Sequence, residues 1–87
     1  MNPADTQLIR DTILQSAKRF PRGMTQLTLE TCVRSMTMIN VSSEDMEGHI
    51  RYLMSAGFLE EVPKRTPEFR IWKITADGVD ELASRGM

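Results

Sequence analysis

Apolar positions recur at helical spacing three times along the chain before the period changes. In the first stretch, from about Pro3 to Phe20, Ile9, Ile13, Ala17 and Phe20 fall on one stripe with Leu8 beside it. Asn2 suits a cap, Pro3 suits the first helical position, and Asp5 favours the positive end of the helix dipole. Lys18 and Arg19 complement the other end, and Pro21 and Gly23 stop the helix. A second helix, about 26–38, begins near Thr25 or Thr28. Its Leu29, Cys32, Val33 and Met36 lie at i, i+3, i+4 and i+7, and Asn40 offers a stop. Ser42-Ser43-Glu44-Asp45 then reads as a cap and a carboxylate-rich first turn. It opens a third helix, about 43–56, with Met46, Ile50, Leu53 and Met54 inward and Gly57 as a left-handed terminator.

From Phe58 the pattern is that of strands. Phe58-Leu59-Glu60-Glu61-Val62 is short and ends at Pro63, and Lys64-Arg65-Thr66-Pro67-Glu68 is turn chemistry. Phe69 to Thr75 is rich in aromatic and β-branched residues and alternates, so the spacing predicts a hairpin over about 58–74. Thr75 caps a last helix, about 76–84, with Val79 and Leu82 facing in. The reading is a mainly α chain with one small β-hairpin, in the order helix, helix, helix, strand, strand, helix, forming one domain over residues 1–87.

That order, carried on these residues, resembles the winged helix-turn-helix superfamily. Val41-Ser42-Ser43, Met46, Ile50 and Leu53, followed by Ala56-Gly57-Phe58-Leu59, are similar to a recognition helix running into the first wing strand. Trp72-Lys73-Ile74-Thr75-Ala76-Asp77-Gly78 is similar to the second wing strand and the start of the closing helix. The likeness spans roughly residues 8–84. Leu8-Ile9-Arg10-Asp11, an extended link between the first two helices and the short length also resemble small winged-helix proteins of Mu-like bacteriophages and prophages. The resemblance implies a DNA-binding protein, a small phage or bacterial transcriptional regulator whose third helix enters the major groove.

Charge changes that picture. The formal net charge is −1, and so carries no overall basic signal for nucleic acid. Residues 41–57 set the single cation Arg51 against Glu44, Asp45 and Glu47. Residues 58–74 set Lys64, Arg65, Arg70 and Lys73 against Glu60, Glu61 and Glu68. An acidic third helix therefore stands beside a basic wing. If Met46, Ile50 and Leu53 point inward, Ser43, Glu44, Glu47, Gly48, Arg51 and Tyr52 point out.

The nucleic-acid candidates are Ser42, Ser43, Arg51, Tyr52, Lys64, Arg65 and Arg70. Arg51 can reach a phosphate or a guanine edge, and Tyr52 a hydroxyl contact or a stack; each also reads as an ordinary surface or wing-root residue. The wing cations Lys64, Arg65 and Arg70 suit a DNA backbone, and equally suit a hairpin protected against edge pairing. Glu44 and Glu47 repel phosphate at close range, although a carboxylate can accept from cytosine. They read either as dipole-stabilising residues or as the contact face of a protein-interaction module that has lost DNA binding. Lys18, Arg19, Arg22 and Arg34 form a possible second basic area.

His49 and Cys32 read as structural, since Asp45 and His49 at i, i+4 permit a surface pair but no closed metal site. No catalytic constellation, metal site or cofactor motif is present, and the chain reads as a non-enzyme. One cysteine allows no internal disulfide, which with the absence of a signal-like or membrane-spanning run suggests a cytoplasmic protein. The expected partners are double-stranded DNA, a possible second copy of the chain or, alternatively, a protein partner, and no membrane.

Overall fold

A computed structural model describes residues 2–63 and 70–86. The expectations placed on Lys64 and Arg65 lie outside the described residues. Helix α1 spans Pro3–Arg19, strand β1 Met24–Thr25, helix α2 Gln26–Thr37 and helix α3 Ser43–Ser55. Strand β2 spans Leu59–Glu61, strand β3 Ile71–Ile74 and helix α4 Ala76–Ser84. The sheet is antiparallel in the order β1-β3-β2, with Met24 opposite Trp72 on one side of β3 and Leu59 opposite Ile74 on the other.

The helix ends follow from local chemistry. Side-chain oxygens of Asn2, Thr25, Ser42 and Thr75 each accept from a backbone N–H three residues on, closing the four N-termini. α3 ends in a left-handed Gly57 (φ 83°), and the Phe58 N–H turns back to the Leu53 carbonyl at 2.9 Å. α2 ends at Thr37, with Met38 itself taking the left-handed conformation that is more often given to glycine or asparagine.

The core joins Ile9, Ile13, Leu14 and Ala17 of α1 to Leu29 and Val33 of α2, Met46, Ile50 and Leu53 of α3, and Trp72 and Leu82. Several expectations need correction. Phe20 caps α1 and is 51% exposed, while Leu14 takes the buried place. On α2 the buried positions are Leu29, Glu30 and Val33; Cys32 is only half-buried and Met36 is exposed. Met54 is half-buried, its sulfur accepting from the Trp72 indole N–H at 3.2 Å. The hairpin is one part of a three-stranded sheet, because β1, absent from the expected order, holds the far edge of β3. Val79 is only half-buried, and Gly78 and Leu82 are the buried residues of α4.

Thr75 fastens α4 to the α3–β2 connection. Its N–H donates to the Phe58 carbonyl at 3.0 Å, its hydroxyl donates to the Gly57 carbonyl at 2.6 Å, and it accepts from the Gly78 N–H. Gly78 is then pressed so closely on this connection that an added Cβ would stand 2.4 Å from the Phe58 oxygen and 2.6 Å from Ile74 Cγ1. Backbone cannot move aside cheaply. Gly78→Ala is therefore expected to cost about 1–3 kcal/mol, read as a lowered urea midpoint with an unchanged slope. A midpoint at or above wild type would show that α4 does not sit on Phe58 in this way.

Candidate nucleic-acid interface

The outer face of α3 is set by a buried carboxylate on α2. Glu30 is 5% exposed; its Oε1 accepts from the Ser43 hydroxyl at 2.9 Å and from Arg34 Nη2 at 3.3 Å. The same Arg34 nitrogen donates to the Val41 carbonyl at 3.0 Å, and Gln26 Nε2 donates to the Ser43 carbonyl at 3.1 Å. Four polar groups thus fix the turn between α2 and α3, together with the buried Val41. Arg34, of the basic area expected with Lys18, Arg19 and Arg22, thus uses its Nη2 to hold this turn.

The two serines end up in different states. Ser42 accepts the Asp45 N–H at 3.1 Å and keeps its own proton for an outside acceptor. Ser43 has given its proton to Glu30, so toward a ligand it can only accept. It is therefore poorly suited to a phosphate.

Arg51 and Glu47 project from the crest of α3 as an i, i+4 pair at 3.3 Å, with side chains 74% and 51% exposed. On the wing side, Arg70 grips Glu61 with two hydrogen bonds, of 3.0 and 3.2 Å, and lies 5.0 Å over the Trp72 ring. The Glu61 hydrogen bond holds the Arg70 guanidinium above its ordinary pKa. Lys73 pairs with Glu60 at 3.5 Å. Glu47, Arg51, Arg70 and Trp72 line one groove of about 340 Å³ between α3 and the wing. The structure thus brings Arg51 and Arg70 to one surface, each already next to a carboxylate.

Tyr52 faces away from the wing. Arg10 of α1 lies over its ring at 3.6 Å, and Arg10 Nε donates to His49 Nδ1 at 3.3 Å. His49 is 8% exposed; it bonds to α1 rather than forming the surface pair with Asp45 that its spacing allowed. Burial first, and the Arg10 guanidinium second, push its imidazole below the ordinary histidine pKa, with Asp45 pulling the other way. The unfolded chain therefore binds this proton more readily than the folded one. The full stability contribution is present above the unfolded value of 6.5 and is lost as pH falls toward the lowered folded value. Thermal midpoints at pH 7.5 and pH 5 are expected to differ more for the wild type than for His49→Gln. An equal difference would remove His49 as a cause.

Arg10, Gln26 and Glu30 are positioning residues that the sequence did not single out. The i, i+4 spacing of Glu30 and Arg34 was a visible signal for one; nothing local marks the contact of Arg10 with Tyr52 and His49.

The whole arrangement, four helices around a small antiparallel sheet with α3 beside a strand pair, is a winged helix-turn-helix fold. No protein-family model matches the chain, and no curated protein matches it in sequence. Solved structures do. The chain is similar over its full length to TA0346, a candidate transcriptional regulator from Thermoplasma acidophilum, with a TM-score of 0.81 at 17% identity over 83% of that chain. It is also similar to SSV1 F-93, with a TM-score of 0.61 at 16% identity over 90% of this chain and 86% of that one. At such identities the likeness is one of fold. No described helix is long and apolar enough to cross a membrane.

Proposed function

We propose that this chain is a DNA-binding winged-helix protein, a small cytoplasmic regulator of phage or bacterial genes, with no catalytic role. The observation that carries this reading is the shared groove: Arg51 on the crest of α3 and Arg70 at the base of the wing face the same surface. The regulator assignment of TA0346 supports it by analogy of fold. The phage part rests on the sequence resemblance alone, as do the wing-tip cations Lys64 and Arg65. In this reading α3 enters the major groove, Ser42 donates to a phosphate at its N-terminus, Arg51 reaches the duplex and Arg70 supports from the wing, while Tyr52 stays under Arg10 on the α1 side. A second copy joined through α1 or α4 would set two half-sites, a geometry that such small domains commonly use.

Binding to random duplex DNA across a salt series is the test. The logarithm of the binding constant is expected to fall linearly with that of salt, with a slope of about −0.9 for each phosphate neutralised. No binding at low salt overturns the reading.

One observation favours a second reading. Among the described residues Glu44 and Asp45 form no ion pair, while both Arg51 and Arg70 do, which leaves α3 acidic at its start. A basic segment of a partner protein would fit that face. Glu44→Lys separates the readings: it strengthens DNA binding and steepens the salt slope by about 1, but weakens a basic protein partner.

A further inference from the structure

Position 48 is occupied by glycine in the middle of α3, where glycine is a poor helix former. Packing among the described residues gives no reason for it, since a Cβ added there would meet none of them within 4 Å. It does not take a left-handed conformation either. The fold loses stability at this position and recovers nothing from the described residues. Glycine's other physical use is to let an outside surface approach the backbone closely.

The neighbours of Gly48 say what that surface is. Glu47 and Arg51 line both the groove toward α1, which Gly48 also lines, and the groove toward the wing, so their pair forms the ridge between the two. Only Nη2 of Arg51 and Oε1 of Glu47 are engaged with each other. The pair therefore presents guanidinium N–H donors on one side and a carboxylate acceptor on the other. The major-groove edge of a G·C pair runs in the complementary order: guanine N7 and O6 accept, and the cytosine N4 amino group donates. An A·T edge alternates acceptor, donor, acceptor and ends in a methyl group, which leaves the carboxylate facing an acceptor.

Resting on the DNA-binding reading above, we infer that the Glu47–Arg51 pair reads one G·C base pair, Arg51 on guanine and Glu47 on cytosine, and that Gly48 lets α3 descend far enough for both to reach. The acidic first turn then has a use: carboxylates on the reading surface weaken every non-specific complex, so the correct base pair is separated from the rest by more than its own contacts.

Selection from a randomised duplex pool tests this with three proteins. Wild type is expected to retain duplexes with an invariant G·C pair, and changing that pair to A·T to weaken binding roughly 5- to 150-fold. Glu47→Gln is expected to bind random duplex more tightly while losing most of that preference. Gly48→Ala is expected to raise the thermal midpoint by several degrees yet weaken binding to the selected duplex about tenfold, a combination that a purely structural role cannot produce. The inference is overturned, with the DNA-binding reading intact, if wild type binds DNA without fixing a G·C pair. It also falls if Glu47→Gln selects the same sequences as wild type, or if Gly48→Ala binds the selected duplex unchanged. If wild type retains no duplex at all, the DNA-binding reading falls and takes this inference with it.

Discussion

Replacing Trp72 by alanine is expected to destabilise the protein by about 3–5 kcal/mol, a large share of the 5–15 kcal/mol typical of a whole domain. Trp72 is 3% exposed on the central strand, opposite Met24 on β1 and Glu61 on β2, and its indole N–H is given to the Met54 sulfur of α3. One side chain therefore touches both outer strands and the candidate recognition helix. Its loss leaves a cavity that three separate elements would have to close together, which backbone of this kind does poorly. A urea titration reads the cost. A change under about 1 kcal/mol would mean that the site collapses freely and that Trp72 does not join sheet to helix. Because Trp72 also walls the groove holding Arg51 and Arg70, duplex binding is expected to fall as well, even below the melting temperature of the variant.

The second large effect belongs to Glu30→Ala, expected to cost about 2–3 kcal/mol. The Ser43 hydroxyl and the Arg34 guanidinium lose a common, nearly buried acceptor. Arg34 is 44% exposed at its side chain and can take water in compensation, which keeps the cost below that of breaking a fully buried pair. Glu30→Gln retains an acceptor oxygen and should recover part of the loss. The functional consequence differs from that of Trp72. With Glu30 gone, the Ser43 proton is released and the start of α3 loosens. Protection of the α3 amides from hydrogen exchange should then drop in the first turn before it drops elsewhere. Uniform loss of protection would show that Glu30 stabilises the fold without holding this turn.

The helices were legible because their signals are local. Caps at Asn2, Thr25, Ser42 and Thr75, the stop at Gly57 and the spacing of Ile9, Ile13, Met46, Ile50 and Leu53 all act within a few residues. What escaped was non-local. Two residues, Met24 and Thr25, carry no strand pattern of their own and become β1 only by pairing with β3. A single narrow stripe on α1 placed Phe20 inside; in fact α2, α3, α4 and β3 all pack on that helix, so its buried surface is broad and includes Thr12, Leu14 and Ser16. Glutamates are mostly exposed, and only the fold buries Glu30 and brings Ser43 to it. At the candidate interface the charge signs were readable along the chain. The sequence could not show that Arg51 and Arg70 would share one groove while Tyr52 turned to the opposite side.

The β1–β3 pairing has a consequence for how the chain reaches this state. Its partners, Met24 and Trp72, lie about 50 residues apart, whereas β2 meets β3 across a short hairpin and the helices form from neighbours. Packing of α1 on β3 and α4 closes the chain over a similar span through a broad buried face, whereas the two-residue β1 pairing returns little by itself, so β1 is expected to dock after that packing has assembled. Substitutions at Met24 should then speed unfolding and leave the folding rate nearly untouched, which makes this edge of the sheet the step that sets the lifetime of the native molecule rather than the speed of its formation.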